Sequence, residues 1–207
     1  SVAISGNYAI VGAIYDDDNG SNSGSAYIFN VTTGTQLHKI TASDAATIDY
    51  FGFSVAISGN YAIVGAKGDD APSSDSGSAY IFNVATGTQL HKITASDGAA
   101  NSGFGQSVAI DGNYAIVGAS AADVDGTNSG RAYIFNVATG TQLHMLSSND
   151  IASGDQFGFS VAISGNYAIV GAIYDDDYGT SSGSAYIFNV QTGAQLHKLV
   201  DTDGEAN

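Results

Sequence analysis

The sequence predicts an all-β protein, a β-propeller of four-stranded antiparallel blades, with four 53-residue repeats in the chain. Three observations predict it. The string SVAISGNYAIVGA starts at Ser1, returns at Ser54, appears as SVAIDGNYAIVGA at Ser107 and returns at Ser160, each step being 53 residues. Every period holds four short runs rich in Val, Ile, Tyr and Phe, separated by clusters of Gly, Asn, Asp, Ser and Thr, which is the pattern of strands and turns. No segment of helical length carries a 3.6-residue apolar period.

The elements follow in order within the first period. Strand a is Ser1 to Ser5, and Gly6-Asn7 forms a two-residue hairpin turn after it. Strand b runs from Tyr8 to Ala13, and a polar loop, IYDDDNGSNSG, leads to strand c from Ser25 to Val31. A turn ending at Gly34 leads to strand d, TQLHKI, and a longer loop carries the chain into the next copy. Strand c is apolar on both sides, with Tyr27 and Phe29 on one and Ala26 and Ile28 on the other. A sheet buried on both faces needs neighbours above and below, so a meander of this length stacked on copies of itself reads as a propeller blade. A β-solenoid is the rival, but its rungs are shorter and lack two hairpin turns per repeat. The blades are expected at 1–53, 54–106, 107–159 and 160–207. In an up-and-down meander the a–b and c–d turns share one end of the sheet, and the long b–c and d–a loops share the other. All the variable, aspartate-rich loops are therefore expected on a single face, where function concentrates.

Composition narrows the classes. There are 20 acidic residues against 5 basic ones, a formal charge of −15, and Glu205 is the only glutamate. So acidic a surface repels nucleic acid and anionic membranes and favours cations or basic partners. The absence of cysteine excludes disulfides and thiolate metal sites. No apolar run is long enough to insert into a bilayer. The chain opens inside a repeat and without methionine, so a processed or excised piece is expected.

These residues resemble the FG-GAP repeat family, known from the propeller of integrin α-subunits and from bacterial surface proteins. The FG element is Phe51-Gly52, Phe104-Gly105 and Phe157-Gly158, and the GA element is Gly12-Ala13, Gly65-Ala66, Gly118-Ala119 and Gly171-Ala172. GSAYIF or GRAYIF follows at Gly24, Gly77, Gly130 and Gly183, and the match covers essentially the whole chain. The resemblance implies a propeller and an extracellular, cell-surface setting. Calcium-binding members place DxDxDG in the a–b hairpin; here that hairpin is only SGN or DGN, so the family's calcium site does not carry over.

The b–c loops supply a different set of candidate calcium ligands: Asp16, Asp17, Asp18 and Asn22; Asp69, Asp70 and Asp75; Asp123, Asp125 and Asn128; and Asp175, Asp176 and Asp177. Calcium wants six to eight oxygens on a flexible turn, and DDDNGSN or DVDGTN offers that chemistry. The other reading is that these side chains only cap turns through backbone amides. The d–a loops add Asp44, Asp97, Asp150 and Asp203 on the same face, with Asp49 and Asp155 nearer the FG element. The four histidines, His38, His91, His144 and His197, share one column on the outermost strand, too far apart to converge on zinc and expected at the rim or between blades. Tyr8, Tyr61, Tyr114 and Tyr167 are expected between blades, and the glycines after strand b at close approaches between them. Tyr15, Tyr50, Tyr174 and Tyr178 are the loop aromatics available to stack on a sugar.

A nucleophile, base and orienting group do not come together in this pattern, and candidates repeated four times do not make a single catalytic site, so no enzymatic activity is expected. The functional expectation is a secreted or cell-surface module that engages a protein or glycan through its acidic loop face, stiffened by calcium. Two alternatives are a purely structural repeat or surface-assembly protein and a lectin-like glycan binder. Blade count stays open among a four-bladed ring, a homo-oligomer of two chains with eight blades, and a larger disc completed by further blades.

Overall fold

The computed structural model describes residues 1–70, 72–177 and 179–201. Sixteen strands form four separate four-stranded antiparallel sheets, each in simple sequence order. The first sheet comprises β1 (Val2–Ser5), β2 (Tyr8–Ala13), β3 (Ser25–Asn30) and β4 (Gln36–Ile40). The second comprises β5 (Phe51–Ser58), β6 (Tyr61–Ala66), β7 (Ser78–Asn83) and β8 (Gln89–Ile93). The third comprises β9 (Ser107–Asp111), β10 (Tyr114–Ala119), β11 (Arg131–Asn136) and β12 (Gln142–Leu146). The fourth comprises β13 (Phe157–Ser164), β14 (Tyr167–Ala172), β15 (Ser184–Asn189) and β16 (Gln195–Leu199). Strand c stops one residue short of the expected Val31, because the Val31 amide leaves the ladder to bond the Asn7 carbonyl (2.9 Å). Sheets two and four start at the Phe-Gly pair itself, so this element belongs to the blade that follows it.

Side-chain alternation sorts each sheet into two faces. Ile10, Ala26, Ile28 and Ile40 of the first blade pack on Val55, Ile57, Val64, Tyr80 and Phe82 of the second. The second blade repeats this against the third, and the third against the fourth. Each forward face of small aliphatic residues thus receives a rear face carrying two aromatics. Phe51 lies edge-on to Tyr80 and Phe82 with ring centroids 5.5 and 5.8 Å away, and Phe104 and Phe157 stand in the same relation to their own pairs. Such aromatic contacts add roughly 0.5–1.5 kcal/mol each beyond the area they bury.

The glycines of the motif make this stacking sterically feasible. A Cβ on Gly12 would sit 2.0 Å from the Gly52 carbonyl oxygen of the next blade, and Gly65 and Gly118 meet Gly105 and Gly158 in the same way. The histidine column closes the same junction. His38 Nε2 lies 3.0 Å from the Ala85 carbonyl of the next blade, as His91 does from Ala138 and His144 from Gln191. These histidines are inter-blade contacts.

Candidate interaction face

The two ends of the blades differ as the meander requires. At one end, backbone bonds tie the a–b turn to the c–d turn: the amides of Val31, Val84, Val137 and Val190 donate to Asn7, Asn60, Asn113 and Asn166 at 2.9 Å. At the other end, the loop entering each new blade zips onto the b–c loop of the blade before. Ile48, Tyr50 and Phe51 donate to the carbonyls of Ser21, Asn22 and Ser23, and Asn101 and Gln156 make the matching bonds to Ser74 and Asn128. Every described aspartate candidate named above lies in this second set of loops; Asp203 and the aromatic candidate Tyr178 fall outside the described residues.

The aspartates divide into three kinds of work. Asp17, Asp70 and Asp123 are turn caps: each Oδ1 accepts the amide five residues on, from Asn22, Asp75 and Asn128, at 2.7 to 2.9 Å. The three amide donors, Asn22, Asp75 and Asn128, have φ between 51° and 54°, the left-handed region that Asn and Asp tolerate, which accounts for their identity.

Asp16, Asp69 and Asp175 point inward onto tyrosine and lysine. Asp69 accepts from the Tyr80 hydroxyl (2.7 Å), the Ser78 hydroxyl (3.0 Å) and the Lys92 ammonium (2.9 Å). Asp16 does the same with Tyr27, Ser25 and Lys39, and Asp175 with Tyr186 and Lys198. The Lys39 ammonium holds the Asp16 carboxyl down at about 2, against an opposing push from burial. At Asp175 burial works to raise the carboxyl, but the Tyr186 and Lys198 bonds outweigh it and leave it lowered. Asp18 and Asp177 close on Lys39 and Lys198 from the solvent side.

The d–a loop column bridges blades. Asp44 leaves the first blade and bonds both Lys92 (2.6 Å) and Tyr80 (3.0 Å) of the second, and Asp150 reaches Lys198 of the fourth (2.9 Å). The third blade performs the same task with different chemistry. The positions of Asp69, Ser78 and Lys92 are there Ala122, Arg131 and Met145. The cation has moved from strand d to strand c, and Arg131 pairs with Asp97 (3.3 Å) and Asp125 (3.4 Å) while Tyr133 donates to Asp97 (2.9 Å).

These contacts bear on calcium. Coordination needs six to eight free oxygens, whereas here the inward carboxylates embrace ammonium groups and the caps embrace amides. Among the described residues no group of three or more His, Cys, Asp or Glu is disposed to hold a metal ion. The loops as folded fit a lysine ammonium and do not fit calcium.

Two buried acids stand apart. Asp49 accepts the Ala46 amide (2.6 Å) and Asp155 the Ala152 amide (2.7 Å), and among the described residues neither carboxyl forms an ion pair. Burial pushes Asp49 up to about 6 and also raises Asp155, whose neighbours Asp175, Asp176 and Asp177 add to the effect.

One part of the face breaks the repeat. Ile14, Tyr15, Tyr50, Phe53 and Lys67 line an open groove of about 230 Å³ beside the first two blades. Tyr15 is 74% exposed, and the Lys67 ammonium lies 3.9 Å above the Phe53 ring. Lys39, Lys92, Arg131 and Lys198 all form ion pairs, while Lys67 forms none among the described residues. The sequence reading named Tyr15 and Tyr50 here and missed Lys67, whose signal was its position: the same column holds Ile14, Ser120 and Ile173 in the other blades.

Comparison with known proteins agrees with this architecture. The family model described as FG-GAP repeat matches residues 1–29, 35–82, 88–135 and 141–188. No curated protein sequence matches the chain. Among solved structures, the chain is similar to Kuenenia stuttgartiensis hydrazine synthase at 13% identity and a TM-score of 0.63, over 97% of this chain and 48% of that one. This chain therefore spans about half the length of that relative. It is also similar to the computationally designed Ika4 protein at 16% identity and a TM-score of 0.55, over 91% of this chain and 89% of that one. At such identities the likeness is one of fold.

Proposed function

Because the chain belongs to the FG-GAP repeat family and is a repeat β-propeller module, we propose that it serves outside the cell as a non-enzymatic interaction module whose loop face contacts a protein or glycan. The observation that carries this reading is the groove of Tyr15, Tyr50, Phe53 and Lys67. Elsewhere on the face, cations are neutralised by aspartates, and the strand c tyrosines Tyr80, Tyr133 and Tyr186 are buried. Here an exposed Tyr15, a half-buried Tyr50 and an ammonium that forms no ion pair among the described residues line one groove, a combination that stacks on a sugar or pyranose-like ring and hydrogen-bonds its substituents. The acidic surroundings favour a neutral glycan or a partner segment carrying positive charge.

The test is a screen of the immobilised chain against a glycan array and a library of cationic peptides. Binding that Tyr15→Ala and Lys67→Ala each weaken tenfold or more supports the reading. Absence of binding, or binding indifferent to both substitutions, favours the purely architectural alternative. Calcium has no part in this proposal, since Lys39, Lys92 and Lys198 do the stiffening. The melting temperature is expected to stay constant between chelator and about 1 mM calcium, the range in which extracellular calcium modules load; a rise of several degrees would restore the metal to the loops.

A further inference from the structure

The four blades form an open series. Each interior junction joins one forward face to one rear face, and the chain builds that junction three times with the same parts. One rear face and one forward face are left over. On the first blade Val2 and Ile4 are 74% and 67% exposed, where their counterparts Val55 and Ile57 are 6% and 7%. On the fourth blade Ile169 and Leu199 are 36% and 43% exposed, where Ile10 and Ile40 are 0% and 3%. A groove of about 490 Å³ runs over this second face, lined among others by Ile163, Tyr167, Ile169, Ile187 and His197.

The specific contacts are also left half-made. Gly87, Gly140 and Gly193 each lie under the histidine of the preceding blade, with its ring 2.8 Å from where a Cβ would be. Gly34, the same turn in the first blade, has nothing within 4 Å. His197 is the histidine with no following turn. The amides of Gly59, Gly112 and Gly165 are met by Ser5, Ser58 and Asp111 of the preceding blade. Among the described residues the Gly6 amide meets no such side chain, and Ser164 no such amide.

From these paired remainders we infer that the open ends are mates, and that the chain associates head to tail with a second copy of itself. The forward face of blade four in one copy seats on the rear face of blade one in the other. His197 meets the Thr32–Gly34 turn and Ser164 meets the Gly6 amide. The near-identity of the blades makes this junction an intermolecular version of the three already formed, and it removes two apolar sheet faces from water at once. An interface joining different faces is heterologous, and two copies whose rotation closes give a ring of eight blades.

The experiment is sedimentation of the 207-residue chain, with one pair of substitutions at each end: Val2→Asp with Ile4→Asp, and Ile169→Asp with Leu199→Asp. Wild type is expected at twice the 20.9 kDa chain mass or at a higher multiple. Each double variant alone is expected to sediment as a monomer, since every junction needs one face of each kind, and an equimolar mixture of the two to regain pairs, since each then contributes one intact face. A wild type that stays monomeric at about 100 µM, where even a junction with a Kd of tens of micromolar would populate, overturns the inference. So does dissociation caused by one variant and not the other, which marks a face pairing with itself, or a mixture that fails to reassociate. Far-UV circular dichroism checks the fold of each variant, and the milder Ile4→Ser and Ile169→Ser replace any double variant that does not fold.

Discussion

Gly65→Ala and Gly171→Ala make the same chemical change in the same local sequence, YAIVGA, yet the structure assigns them opposite outcomes. A Cβ on Gly65 lies 2.0 Å from the Gly105 carbonyl oxygen and 2.4 Å from Ser54 Oγ. Ordinary contact needs roughly 3.5 Å, so the two blades must separate by more than an ångström or the strand must bend. Overpacking of this kind costs about 3 kcal/mol. Moving the serine also breaks its bond to Gly105 (2.7 Å), worth about 1 kcal/mol more. Alanine returns about 0.4–1 kcal/mol by restricting the unfolded chain, which leaves a net loss of about 3 kcal/mol. At Gly171 the nearest atom is 3.7 Å away, so only the restriction remains and stability rises by about 0.5 kcal/mol. Urea denaturation followed by circular dichroism measures both. Equal effects at the two sites would show that the glycines answer to strand geometry and not to the neighbouring blade, and would refute the stacking account of the motif.

Two further outcomes follow from the loop chemistry. Lys92→Met removes the ammonium from the buried Asp69 carboxylate and is expected to cost about 3 kcal/mol; adding Asp69→Ala and Ser78→Arg, which copies blade three, should recover most of it, and urea midpoints of the single and triple variants check the coupling. The pH dependence has two limbs. Asp49 is raised from 3.8 to about 6, so its contribution is present below about 4 and is lost as pH rises through about 6, at most about 3 kcal/mol. Asp16, Asp44, Asp150 and Asp175 are lowered, so theirs are present above about 4 and fade as pH falls below it. Stability should therefore peak at about pH 4 and decline towards about pH 6, and Asp49→Asn, which keeps an oxygen for the Ala46 amide, should stabilise the protein at about pH 7.5 and leave it unchanged at about pH 3.5. Thermal melts across pH measure this, and a variant that behaves alike at both pH values would contradict the burial of an ionisable Asp49.

The strands, their order and the two unlike ends were legible because they depend on local rules: period-two alternation, Gly-Asn turns and a fixed repeat length. Strand b, Tyr8–Ala13, falls where the pattern placed it. The rim histidines were legible for the same reason, since their column fixes which strand carries them. The partners of the aspartates were not. Asp44 and Lys92 are 48 residues apart, and nothing along the chain says that a loop leaving one blade lands on the outer strand of the next. The clue that was present lay across the repeats: Lys39, Lys92 and Lys198 share a column whose fourth member, Met145, is the only methionine in the chain. Ala122 and Arg131 change in that same blade. A column that loses its cation in the repeat where a neighbouring column gains one signals a charge pair before any coordinates exist.

That compensation also separates architecture from function on this face. Where a position serves the stacking, substitution in one blade is answered by substitution nearby, as Arg131 answers Met145, and the contact to the preceding aspartate survives. The Lys67 column is answered too, since Lys67 stacks on Phe53 and its counterpart Ser120 donates to Gln106 (2.8 Å), the counterpart of Phe53, whereas the loop tyrosine column is not. The Tyr15 column reads Tyr15, Gly68, Ala121 and Tyr174, and its two tyrosines are 74% and 49% exposed. Fold stability does not explain solvent-exposed tyrosine rings that come and go between otherwise interchangeable blades. An aspartate needed only to hold two blades together is required at every junction, whereas a recognition site is required once. On the proposed reading, the groove where the repeat loses its regularity is the place where a ligand reads this surface.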